Sequence, residues 1–229
     1  MKRPDITDIF FDLDHTLWDF DRNSALAFQR IFRQEGIDAS FEEFIKAYEP
    51  INFNYWKLYR EERVTQEELR RGRFNDSFAK LGVSYPLSKI DRLSEAYIEE
   101  LPKDNHLFDG ALEVLEHLRG TYRMHIITNG FEEVQHLKMA NSGIRDYFDI
   151  IMTSETAGVK KPNPIIFHTA LEQAASKPSS SIMIGDTFEA DILGAEAVGM
   201  DTLFYNYRKE SVAEGYKVVD HIIEIKNYL

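Results

Sequence analysis

No cysteine occurs among the 229 residues, which excludes a disulfide framework, a thiolate nucleophile and a zinc site built on sulfur. Basic residues are in the minority: 27 Lys and Arg stand against 39 Asp and Glu, a formal net charge of −12. A surface that neutralises a nucleic-acid polymer or an anionic membrane needs clustered cations, so neither is expected as a partner. Long apolar runs are missing too. The opening Met1-Lys2-Arg3-Pro4 leads into an apolar stretch that acids interrupt at once, too short for a secretory signal or a membrane span, and a cytoplasmic location is the expectation. There is no Gly-x-Gly-x-x-Gly or Walker-type Gly-Lys-Ser/Thr segment, and the seven histidines form no pair at metal-ligand spacing. Nucleotide cofactors are therefore not indicated.

A hydrophobic content of 43% with 13% aromatics is enough for one large core, or for an ordinary core with a smaller domain inserted into it. Ile9-Phe10-Phe11 reads as a first strand. The next ninety or so residues read as helices: Ser24 to Glu35 ending at Gly36, capping-box spacings at Ser40/Glu43 and Thr65/Glu68, Pro50 dividing a pair of helices, and a last helix from about Ser88 to Leu101. From Leu107 onward helix and strand alternate, with strands at Met124 to Ile127, Ile150 to Thr153, Ile182 to Ile184 and Thr202 to Tyr205. Alternation implies a parallel sheet covered on both faces. The expected fold is α/β, a Rossmann-like doubly wound parallel core made of 1–17 and 106–229, with a helical domain inserted at 18–105.

The chemistry-bearing residues fall at strand ends. Asp12 and Asp14 flank Leu13 directly after the first strand; Thr128-Asn129-Gly130 follow the second; Lys160-Lys161-Pro162 precede a helix; Asp186 follows Gly185. Phosphoryl transfer needs a nucleophile, cations around the equatorial oxygens and a proton for the leaving group. Asp12 suits the nucleophile, forming an aspartyl-phosphate, and Asp14 suits the general acid and base. Clustered carboxylates would repel a phosphate unless a divalent cation bridged them, and oxygen donors suit Mg²⁺. Asp12, Asp186 and the Asp14 main-chain carbonyl are its candidate ligands. Thr128, the amides around Asn129 and Gly130, and Lys161 or Lys160 suit the phosphoryl oxygens. Asp191, five positions past Asp186, would orient Asp186, a metal-bound water or a lysine. Taken singly, each element is an ordinary turn or loop; their joint order at successive strand ends argues for a site.

In this order the four elements resemble the motifs of the haloacid dehalogenase superfamily. One branch is similar over most of the chain, through Phe-Asp-Leu-Asp-His-Thr-Leu-Trp-Asp-Phe (11–20), Arg71-Gly72-Arg73-Phe74, Ile-Ile-Thr-Asn-Gly-Phe (126–131), Arg145-Asp146-Tyr147-Phe148-Asp149 and Ser154 to Asn163. This is the branch of YjjG-type house-cleaning pyrimidine nucleotidases. The resemblance implies a C1-type four-helix cap, Mg²⁺ as cofactor, Lys161 as the lysine preceding proline, and hydrolysis of small phosphate esters, nucleoside monophosphates such as UMP, dUMP and dTMP above all. Lys160 departs from the branch, which often has a small residue there. Trp18, Phe20 and Phe131 beside the motif loops, and Asn52, Trp56 and Arg73 in the helical insertion, are candidates for contact with the base.

Other readings are a sugar-phosphate or phosphoglycolate phosphatase, a phosphomutase of the β-phosphoglucomutase kind, a haloacid dehalogenase, and a non-catalytic module that kept the fold. A halide leaving group needs neither an acid nor Mg²⁺, so Asp14 and Asp186 count against the dehalogenase. Intact Asp12, Asp14, Thr128, Lys161 and Asp186 count against lost catalysis.

Overall fold

A computed structural model describes residues 5–229; Met1-Lys2-Arg3-Pro4, read above as too short for a leader, lies outside the described residues. The chain divides into two compact units, one formed by the residues up to Phe20 together with Asn105–Leu229, the other by Asp21–Asp104.

The first unit is built on a six-stranded parallel sheet in the order β3-β2-β1-β4-β5-β6. Its strands are β1 (Asp8–Phe11), β2 (Arg123–Thr128), β3 (Ile150–Thr153), β4 (Ser181–Gly185), β5 (Asp201–Tyr205) and β6 (Val218–Val219). β1 and β4 are buried at every position, as central strands covered on both faces must be. Between them the chain reverses its direction of winding, and the carboxyl ends of the strands at such a reversal form the crevice of open α/β sheets. One face packs Phe10, Ile127, Met152 and Met183 against Ile166, Phe167, Ala170 and Leu171 of a helix over Pro164–Gln173. Pro164 opens that helix at its first turn, where its missing N–H costs nothing, and the Asn163 side chain accepts from the Ile165 amide. Two details depart from expectation. Glu189 to Val198 reads in the sequence as one helix, but the chain there forms a π-helical stretch, Phe188–Leu193, followed by Gly194–Glu196. The two-residue β6 carried no readable sequence period.

The second unit contains α1 (Phe20–Gln34, whose first residue belongs to the sheet unit), α2 (Phe41–Arg60), α3 (Gln66–Lys80) and α4 (Leu87–Glu100). Ser40 accepts from the Glu43 amide, and Thr65 and Glu68 complete both bonds of a capping box. Pro50 does not divide two helices: α2 runs through it. Phe44, Ala47, Tyr48, Asn52 and Tyr59 are buried on both sides of the proline, so continuous packing outweighs the roughly 3 kcal/mol that an interior proline costs. The interior is aromatic. Phe28 lies 4.6 Å from the rings of both Tyr48 and Tyr97 and 5.0 Å from Phe44, while Phe44 and Phe78 are 4.8 Å apart.

Candidate active site

Four loops leave the carboxyl ends of β1, β2, β3 and β4, and they bring Asp12, Thr128, Lys161 and Asp186 to one place, all almost fully buried. Asp12 is set by the sheet itself, because its amide donates to the Ile184 carbonyl of β4 at 2.9 Å. The Lys161 ammonium sits between two carboxylates, 2.6 Å from Asp12 Oδ1 and 2.7 Å from Asp191 Oδ1, and donates to the Ile127 carbonyl at 2.6 Å. Its main chain is gripped from both directions by the Asn129 side chain: the Lys161 amide donates to Asn129 Oδ1 at 2.8 Å, and Asn129 Nδ2 donates to the Lys161 carbonyl at 3.0 Å. Asn129 therefore fixes the lysine loop with its side chain. Gly130 N donates to Thr128 Oγ1 at 3.1 Å. Of the two adjacent lysines, Lys161 makes the ion pair with Asp12, and Lys160 is half-buried.

Asp12, Asp186 and Asp191 each present an oxygen within 4.8 Å of the others. Asp191 Oδ2 also accepts the Thr187 amide at 2.9 Å, which locks its orientation. Asp186 Oδ1 is 3.5 Å from the Thr16 hydroxyl, and Oδ2 is buried without a hydrogen bond, with Arg208 approaching to 3.5 Å. Burial, then the negative charges of Asp191 and Asp14 working against Lys161, pushes the Asp12 carboxyl up to about 7. Asp186 is raised well above the ordinary carboxylate value by burial and by Asp12 and Asp191. Burial works against the Lys161 ammonium, yet Asp12 and Asp191 together raise it. Three buried carboxylates thus face one buried ammonium and one partly exposed guanidinium. Such an oxygen-rich, charge-deficient cluster with an unsatisfied Asp186 oxygen fits a hard divalent cation.

The Asp14 carboxylate lies outside this cluster and points toward the helix Glu132–Asn141, where Lys138 Nζ approaches its oxygens at 2.7 and 2.9 Å and Gln135 Nε2 reaches Oδ2 at 3.1 Å. His15, at φ 63°, turns the chain sharply after Asp14 in a region that non-glycine residues rarely occupy. Burial, with Arg208 and Lys138 nearby, holds its imidazole well below the ordinary value, and Tyr207 and Arg208 both meet Nδ1.

Gln135, Lys138, Tyr207 and Arg208 were not singled out from the sequence. For the first two a signal existed: Gln135 and Lys138 share the buried stripe of their helix with Val134 and Met139, where a lysine calls for a partner. Tyr207 and Arg208 follow β5 in a loop without a recognisable motif.

The candidates for substrate contact divide between the units. Trp18 is fully buried, and Phe20 and Phe131 nearly so. In the helical unit the Asn52 oxygen accepts from Tyr48 Oη at 3.3 Å and from Arg73 Nη1 at 3.0 Å. Arg73 lies over the Tyr97 ring at 4.9 Å, and Trp56, half-buried, meets Tyr59 edge-on at 5.7 Å.

Residues 9–205 match the model of the haloacid dehalogenase-like hydrolase family. Pyrimidine 5'-nucleotidase YjjG of Escherichia coli is 37% identical over 90% of this chain and 89% of its own length. Pyrimidine 5'-nucleotidase PynA of Streptococcus pneumoniae is 31% identical over 86% of this chain and 83% of its own. Among solved structures, the YfnB protein of Bacillus subtilis bound to magnesium superposes with a TM-score of 0.88 at 25% identity, covering 97% of this chain and 98% of that one. Strand order, loop placement and these likenesses agree, and the chain belongs to the haloacid dehalogenase-like hydrolases.

Proposed function

We propose that the protein is a Mg²⁺-dependent phosphomonoester hydrolase that works through an aspartyl-phosphate on Asp12, with pyrimidine nucleoside 5'-monophosphates as its substrates. The observation that carries the reading is the buried Asp12 carboxylate, held 2.6 Å from Lys161 and clustered with Asp186 and Asp191. Asp12 attacks phosphorus, and Asp14 protonates the departing oxygen and later takes the proton of the attacking water. Lys161, Thr128 and the amides at Asn129 and Gly130 receive the phosphoryl oxygens. Asp12 and Asp186, with the Asp14 carbonyl, would hold the cation, which would supply charge for the phosphoryl group; Asp191 steadies Lys161. The helical insertion at 18–105 is the cap in this reading, and base contacts are assigned to Trp18, Phe20, Asn52, Trp56, Arg73 and Phe131. The substrate class rests on the two nucleotidase relatives.

A panel of phosphate esters tests this, with free phosphate and isomerised product both followed. Pyrimidine monophosphates should show higher kcat/KM than purine monophosphates, since a single ring needs less enclosed space. Asp12→Asn should stay folded with almost no turnover. Near-normal turnover by that variant would refute the nucleophile; a preference of orders of magnitude for a hexose phosphate or phosphoglycolate would refute the nucleotidase assignment alone.

A further inference from the structure

The Asp14 carboxylate has one job in the reading above, to be in the right place twice. A loop carboxylate left to itself samples several rotamers, and each would place its oxygens differently against the phosphate. Here the group is tied. Lys138 Nζ contacts both oxygens, and Gln135 Nε2 donates to Asp14 Oδ2 at 3.1 Å and to Thr128 Oγ1 at 2.7 Å. A single amide nitrogen therefore links the group assigned to proton transfer with the hydroxyl assigned to the phosphate.

The two clamping residues are three apart on one helix, so they face the same way, and both are buried, Gln135 completely and Lys138 at 2% exposure. The Lys138 ammonium is itself fixed, 4.4 Å from the Trp18 ring centroid and 5.2 Å from that of Phe20, a geometry in which a ring face attracts a cation. Those rings are brought back to Asp14 by the tight turn that follows it, where the His15 amide donates to the Trp18 carbonyl at 3.0 Å. A buried lysine costs stability unless it is paired, and pairing it with Asp14 gives that cost a catalytic use.

We propose that Lys138 and Gln135 are positioning residues for the reaction: they hold the Asp14 carboxyl in register with the Thr128 phosphate contact, so that the proton reaches the leaving oxygen as the phosphorus–oxygen bond breaks. The inference rests on the phosphatase reading. In the first step the phosphoryl group passes from the ester oxygen to Asp12, and that oxygen takes the Asp14 proton; in the second, water attacks phosphorus, its proton returns to Asp14 and Asp12 is released.

Leaving-group dependence separates positioning from mere packing. An alkoxide cannot depart without a proton, whereas p-nitrophenolate can, so misplacing the acid harms alkyl esters selectively. kcat/KM, which reports the first step, is measured for an alkyl phosphate and for p-nitrophenyl phosphate with wild type, Lys138→Met, Lys138→Arg and Gln135→Leu, each checked by thermal melting. Lys138→Met should lower the alkyl value at least about tenfold more than the aryl value, within the roughly 10²–10⁴-fold that general acid catalysis supplies. Lys138→Arg, which keeps the cation, should restore the ratio to within about threefold of wild type. Gln135→Leu should shift the ratio the same way as Lys138→Met, and it decides the matter if the methionine variant does not fold. Equal losses on both esters, or no loss on either, overturn the inference alone. Failure of wild type to hydrolyse either ester overturns the phosphatase reading, and this inference with it.

Discussion

Gly185→Ala places one methyl group where the site has least room. A Cβ at this last residue of β4 would stand well inside van der Waals contact of Asp191 Oδ2, Cγ and Cβ, the farthest of the three only 2.6 Å away. Carbon atoms in contact prefer about 3.5–4.0 Å, so something must move by about 1 Å. The strand has little freedom to yield, since β4 is paired with β1 on one side and β5 on the other. Asp191 is the mobile partner, yet it is 1% exposed, bound to the Thr187 amide and paired with Lys161. Overpacking of this kind costs about 1–3 kcal/mol, which for a chain of this size lowers Tm by about 2–12 °C. Turnover should fall further than stability does, because moving Asp191 moves Lys161, and a displacement near 1 Å at a reacting centre can cost about 10²-fold. Calorimetry and single-substrate kinetics on the same preparation measure both. Removing the obstructing side chain, Cβ included, offers an internal check: Gly185→Ala combined with Asp191→Gly should lose less Tm than the two single changes summed. Wild-type Tm and kcat for Gly185→Ala, or strict additivity in the double variant, would refute the argument that this glycine exists to admit Asp191.

In metal-free buffer Asp186→Asn should melt above wild type, because burial, Asp12 and Asp191 all make that charge unfavourable. Mg²⁺ at about a hundred times its Kd should stabilise wild type by about 2.7 kcal/mol and leave Asp186→Asn almost unmoved; an equal shift in both proteins would exclude Asp186 as a ligand. A third expectation concerns His125, which sits at the amino-terminal side of the sheet with Nε2 3.0 Å from buried Asp8. Burial, opposed by Asp8, lowers the His125 imidazole, so the unfolded chain takes up the proton first and stability falls as pH drops below about 6.5. Burial would raise Asp8, but hydrogen bonds from Thr7, His125 and Arg123 hold it below its ordinary value, so its own contribution is lost only at lower pH, below about 3.9. Urea unfolding at pH 7.5 and 5.5 should show a smaller difference for His125→Gln than for wild type, and identical differences would remove His125 from the account.

The sheet was legible because central parallel strands are short uninterrupted apolar runs, as at Ile9-Phe10-Phe11 and Ile182-Met183-Ile184, and because each is punctuated by a polar residue at its carboxyl end. The family and the fold followed from that punctuation. What stayed hidden was of a different kind. Pro50 carries a strong local signal for a break, and only the aromatic burial on either side of it keeps α2 whole. Gln135 and Lys138 look like ordinary helix-surface residues until their stripe is recognised as the buried one. The hydrogen bond from Arg73 to Asn52 was equally unreadable, since sequence spacing holds no record of which polar groups a bundle pairs.

β1 lies between β2 and β4 at the centre of the sheet, although of these six strands it is synthesised first. Its neighbours begin at Arg123 and Ser181, so more than a hundred residues must be added before the first arrives, about 6–22 s at ordinary elongation rates of about 5–20 residues per second. Through that interval Ile9-Phe10-Phe11, fully buried in the finished protein, has no native strand to pair with. Its exposed apolar side chains and unpaired backbone are what holdase chaperones bind and what aggregates in their absence. The helical segment Asp21–Asp104 forms a compact unit from consecutive residues, and its contacts are complete long before the sheet can close. Chains cut short after about residue 110 and released from the ribosome should therefore present an ordered helical unit joined to an unpaired, chaperone-dependent leading strand.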